Sequence, residues 1–137
     1  MKAVRALGVA LVGLALLAGA APGTAAGPVY KHYVACRDMP PNATPKQKLA
    51  LLSKAKPKHN CTKTSKKGAF FSSLKADVTY KVCVRFPVGK PQCATPRPAT
   101  KGTLYVNGIT SNIPGVHRVT WFVNGNRVGA FNFRVKP

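Results

Sequence analysis

From Asp77 to Phe86 the chain alternates without a break. Val78, Tyr80, Val82, Val84 and Phe86 fall on one side, and Thr79, Lys81, Cys83 and Arg85 on the other. Successive side chains of a strand point to opposite faces, so this period of two demands a strand with one buried and one wet face. Such a strand is not stable alone. It needs neighbours in a sheet and a second layer over its apolar side.

The remaining sequence supplies both. Val29 to Cys36 (VYKHYVAC) is rich in β-branched and aromatic residues and predicts a first strand, ended by Pro40-Pro41. A Pro-rich link from Thr95 to Pro98 precedes another strand-like run, Thr103 to Ile109. After Pro114-Gly115, the stretch His117 to Val123 puts Val119, Trp121 and Val123 on one face, and Phe131, Phe133 and Val135 repeat the pattern. Asn124-Gly125-Asn126 between them is a strong hairpin signal. A three-residue loop keeps both apolar faces on the same side, whereas a two-residue loop puts Trp121 opposite Val128. The expectation is therefore three. Short strands broken by Gly and Pro turns, with no internal repeat, predict a mainly β fold of β-sandwich type.

One helix interrupts this pattern. Thr44 can cap it, Pro45 suits its first position, and Gln47 completes a Thr-x-x-Gln capping box. Leu49 and Leu52 should share its buried face, with Ala55 continuing it and Pro57 stopping it.

The two ends of the chain bear on its compartment. Residues 1–26 follow the pattern of a cleaved secretory signal: Lys2 and Arg5, an apolar run from Ala6 to Leu17, then Gly19, Pro22 and Gly23 before Thr24-Ala25-Ala26. The run is shorter than the roughly 20 apolar residues a membrane span needs, and no second hydrophobic span follows. Residues 27–137 are then a single domain, secreted to the extracellular space. That part holds all four cysteines, Cys36, Cys61, Cys83 and Cys93. An even count in an oxidising compartment predicts two disulfides, although four cysteines allow three connectivities. Cys83 lies on the wet face of its strand, just before the Pro87–Gln92 turn, so a partner across that turn suits it. The expected pairs are Cys36–Cys61 and Cys83–Cys93. A four-thiolate zinc site lacks the short Cys-x2-4-Cys spacing it requires, and no metal or cofactor is expected.

Charge is the other strong feature. Without the leader, 20 basic residues face only Asp38 and Asp77, a formal charge of +18. A chain this basic is drawn to polyanions of any kind. The density peaks in the helix and loop of residues 44–67, where Lys46, Lys48, Lys54, Lys56, Lys58, Lys63, Lys66 and Lys67 occur without one acid. These eight are the candidate contacts to an anionic partner. Lysine outnumbers arginine 14 to 6 after the leader, which favours diffuse attraction over bidentate recognition. Base-specific nucleic-acid readout is not expected, and no aromatic–basic interleaving suggests a stacking platform.

The C-terminal half, roughly Thr79 to Val135, resembles the immunoglobulin-like modules of small secreted proteins from high-GC Gram-positive bacteria. The likeness rests on Tyr80-Lys81-Val82-Cys83-Val84-Arg85, on Cys93, on Gly115 to Gly125 (GVHRVTWFVNG), and on Phe131-Asn132-Phe133-Arg134-Val135. It implies a β-sandwich and export. It brings no catalytic residues and names no ligand, and the Lys-rich segment lies outside it.

Catalysis finds little footing. Two carboxylates across a glycosidic bond would need Asp38 and Asp77 to meet, and nothing in the sequence brings them together. There is no Gly-x-Ser-x-Gly elbow, and the histidines are scattered. Three function classes follow. The first is a secreted, non-enzymatic module docking on an anionic polymer or envelope surface. The second is a protease inhibitor or effector acting on a protein target through Gly89-Lys90-Pro91, inside the Cys83–Cys93 loop. The third is a small ribonuclease using two of His32, His59 and His117 with a lysine.

Overall fold

The computed structural model describes residues 28–137; the expected secretory signal, residues 1–26, lies outside them. Ten elements follow one another: β1 (Tyr30–Arg37), α1 (Pro45–Ser53), β2 (Asn60–Cys61), β3 (Lys66–Ser73), β4 (Val78–Arg85), β5 (Gln92–Cys93), β6 (Arg97–Ala99), β7 (Leu104–Ile109), β8 (Gly115–Val123) and β9 (Asn126–Val135). One sheet has the order β1-β3-β7. The other runs β2-β9-β8-β4-β5, with β6 also paired to β4. Every pairing is antiparallel except the short β2–β9 contact.

The inner faces of the two sheets close on one core. Val34, Ala69 and Phe71 come from the three-stranded sheet. Tyr80, Val82, Val119, Trp121, Val123, Phe133 and Val135 come from the other. Phe71 stacks on Tyr80 at 4.4 Å between ring centres, and the Tyr80 hydroxyl donates to Asn107 Oδ1 at 2.8 Å. His32 stacks on Trp121 at 5.1 Å. These contacts join the sheets through aromatic rings.

Both expected disulfides form, and they differ in place. Cys36–Cys61 is buried and ties β1 of one sheet to β2 of the other. Cys83 and Cys93 sit opposite one another on paired strands, Cα atoms 3.9 Å apart, at the sheet edge.

The helix is capped as its sequence predicts. Thr44 Oγ1 accepts from the Gln47 backbone N–H at 3.2 Å, and Gln47 Oε1 accepts from that of Thr44 at 2.9 Å. Its buried contact is narrower than expected: Leu52 is buried, whereas Leu49 is 47% exposed. Leu52 joins Tyr33, Ala35 and Phe70 in a second cluster on the outer face of the three-stranded sheet. The backbone at Gly68 makes that approach possible, since a Cβ there would lie 2.9 Å from Leu52 Cδ2 and 2.8 Å from Val106 Cγ2.

Two expectations are corrected. Residues 66 and 67 are not loop: they open β3, the middle strand of its sheet. The β8–β9 turn has two residues rather than three, with Val123 paired to Asn126 and with Asn124 and Gly125 at φ 50° and 86°. Positive φ at both positions matches the right-handed twist of the flanking strands. A bulge then shifts the register between Trp121 and Phe122. Phe122 pairs with Arg127 and Trp121 with Gly129, leaving Val128 as the extra residue. The apolar faces still coincide. Gly129 also has to be small, because a Cβ there would overlap the His32 ring.

Candidate functional site

The Lys-rich segment does not spread evenly over the surface. It meets the β7–β8 connection around a cavity of about 370 Å³ lined by Met39, Lys48, Lys63–Lys67 and Ile109–Asn112. The helix supplies Lys48, the β2–β3 loop supplies Lys63, and the start of β3 supplies Lys66 and Lys67. Four of the eight expected lysines thus converge, although they span three local elements. Lys46, Lys54, Lys56 and Lys58 are exposed outside the cavity. Lys58 also donates its backbone N–H to Val34 O at 2.9 Å, pinning the segment to β1.

Lys67 requires a correction. It was expected among the exposed contacts, yet it is only 2% exposed. Strand parity is the reason: Lys67 shares the inward side of β3 with Ala69 and Phe71. Its ammonium donates to Lys63 O at 3.2 Å and to Ser65 O at 2.9 Å. Burial lowers its proton affinity, and nearby Asp38 partly restores it. The loop is fixed further by Thr62, whose Oγ1 donates to Asp38 Oδ1 at 3.3 Å and accepts the Ser65 N–H at 3.1 Å. The interior ammonium therefore shapes the loop that presents Lys63 and leads into Lys66 at the start of β3.

His117 faces the same end of the core from β8, fully buried and stacked on Phe133 at 4.7 Å. Its Nδ1 lies 3.1 Å from Gly115 O, and its Nε2 lies 2.7 Å from Ser111 Oγ. A carbonyl can only accept, so Nδ1 carries the proton and neutral Nε2 accepts from the Ser111 hydroxyl. Burial lowers the pKa of His117, and the charge on Lys67 adds to that effect.

The three histidines are bound into separate stacks, His32 on Trp121, His59 on Phe131 and His117 on Phe133. Among the described residues no cluster of three or more His, Cys, Asp or Glu could hold a metal ion, and no helix is long and apolar enough to cross a membrane. Both acids are engaged locally, Asp38 by Thr62 and Asp77 by the Lys101 backbone N–H at 2.8 Å. Lys90 is exposed at the tip of the Cys83–Cys93 loop, near Val88, which is 63% exposed.

Sequence reasoning missed Ser111, Thr64, Ser65 and Asn112 as parts of this site. Nothing local marks them. Only the β3–β7 pairing, with Lys67 opposite Ile109, brings the two loops together. Comparison with known proteins found no matching family model, no matching curated protein and no matching solved structure.

Proposed function

We propose that this chain is an exported, non-enzymatic binding module of immunoglobulin-like β-sandwich type that docks on anionic polymers or envelope surfaces through its Lys-rich segment. The observation that carries this reading is the convergence of Lys48, Lys63, Lys66 and Lys67 on one cavity, with four further exposed lysines in the same segment of the chain. A solvated basic loop would spread like charges apart, because each close pair repels. Here the fold gathers them. The two sheets around one core and the two disulfides are compatible with the sandwich and with export.

The test is retention of the purified protein on bacterial cell walls, teichoic acid, heparin and RNA at low and high salt, with the RNA then checked for cleavage. Salt-sensitive retention with intact RNA is the expected result. No retention on any polymer would overturn it.

A second reading draws on the exposed Val88 and Lys90, held at the tip of a disulfide-closed turn. A rigid tip of this kind suits insertion into a protease cleft. Inhibition of a trypsin-like protease that is lost in Lys90→Ala would favour it, and a panel of proteases left uninhibited would remove it.

A further inference from the structure

We propose that the cavity between α1, the 62–65 loop, the start of β3 and the 110–112 loop is a seat for a single phosphate group, with Lys67 as its floor and Ser111 as a donor governed by His117. This rests on the polyanion reading and names the group that would occupy its centre.

The ammonium of Lys67 lies in the interior. Two of its three N–H groups are taken by carbonyl oxygens, and no carboxylate hydrogen-bonds it. Asp38 is an opposite charge nearby but makes no direct contact with the ammonium, and Lys67 reaches the cavity wall, where an anion can serve as a direct partner. Lys48, Lys63 and Lys66 stand round the same space with the polar side chains of Thr64 and Asn112. No arginine lines it. Lysine ammoniums bind phosphate as point charges, and several of them from different directions suit a tetrahedral oxyanion. The space of about 370 Å³ admits the phosphate together with the polymer atoms on either side of it.

Ser111 is oriented by its hydrogen bond to His117. With His117 neutral, the one hydroxyl proton of Ser111 is committed to Nε2, so Oγ offers the cavity only lone pairs. Once His117 is protonated, Nε2–H donates to Oγ. The Ile113 N–H, at 3.3 Å, supplies a second donor to the same oxygen. The hydroxyl proton is then free to turn outward to a phosphate oxygen. The groups facing His117 are Lys67 from β3, Ser111 from the β7–β8 connection, the Gly115 carbonyl, Phe86 and Phe133. Lys67 is the charged one among them, and an anion on Lys67 cancels its repulsion of a proton on His117. Proton uptake and anion binding must then favour each other, since such coupling is reciprocal.

The experiment titrates the purified protein with inorganic phosphate, sulfate and acetate by calorimetry, and follows the His117 imidazole by NMR. Sulfate is tetrahedral and does not titrate between pH 5.5 and 8, so it reports the pH dependence of the protein alone. Phosphate and sulfate should bind at least tenfold more tightly than acetate. Sulfate binding should strengthen toward pH 5.5 and raise the His117 pKa. Lys67→Met should lose at least tenfold in phosphate affinity. Ser111→Ala should bind sulfate with a flatter pH profile. Phosphate binding no tighter than that of acetate, or a His117 titration unmoved by sulfate in the unmodified protein, would overturn the proposal without relying on any variant. If the polymer is retained but phosphate is not bound, the seat falls and the polyanion reading stands; if neither binds, both fall.

Discussion

Lys67 and His117 occupy the inward sides of β3 and β8, at one end of the same core, and every hydrogen-bond partner of both is uncharged. Two basic groups so placed make the interior sensitive to acid.

Folding should therefore weaken as pH falls below the ordinary histidine range. His117 and His32 both have pKa values lowered by burial. Their folded forms bind fewer protons than the unfolded chain, so stability is complete above about pH 6.5 and declines as pH drops through that value. Urea unfolding at pH 7.5 and pH 5 should give a lower midpoint at pH 5. Replacing His32 with Phe should remove part of the difference, and an unchanged midpoint in the native chain would contradict the assignment.

The two disulfides should contribute unequally. Cys36–Cys61 closes a separation of 25 residues and Cys83–Cys93 one of 10, a difference of roughly 1 kcal/mol in the chain-entropy model. The first is also buried between the sheets. Paired Ala replacements at Cys36 and Cys61 should cost about 3 kcal/mol or more, and those at Cys83 and Cys93 clearly less, by equilibrium denaturation.

Gly125→Ala should cost about 1–2 kcal/mol, the ordinary penalty for a Cβ in the left-handed region. Nothing lies within 4 Å of the added methyl, so the effect is one of backbone conformation alone. A D-alanine at this position, introduced by ligation, should restore stability.

Leu52→Ala should release α1 more than it unfolds the sheets, because Leu52 is the one fully buried side chain of the helix. A loss of about 2–5 kcal/mol is the usual range for such a truncation. Amide exchange should rise across Pro45–Ser53 well before it rises in β8. Gly68→Ala should push on the same contact from below, through Leu52 and Val106.

What the sequence made legible were the elements with one wet face. The alternation in β4 and β8, the capping box of α1 and the parity of Cys83 each carry their own signature. β3 carries none. Phe70 packs outward under α1 and Phe71 inward against Tyr80, so both sides are covered and no alternation remains. Lys66 and Lys67 then look like more of the basic loop, and the inward side of Lys67 goes unseen. In the β8–β9 hairpin, counting residues sets the parity of the two faces. It does not say whether the odd residue sits in the turn or, as at Val128, in a bulge beyond it.

The buried disulfide has one more consequence. Cys36 and Cys61 enclose α1 and five of the eight lysines, Lys46, Lys48, Lys54, Lys56 and Lys58, in a covalent ring. A lysine-directed protease acting at any of these five would cut inside that ring. A single nick there leaves both new ends tethered, so the basic lobe stays attached to its sheets. The clipped protein would still run as one chain until a reductant opened the bridge.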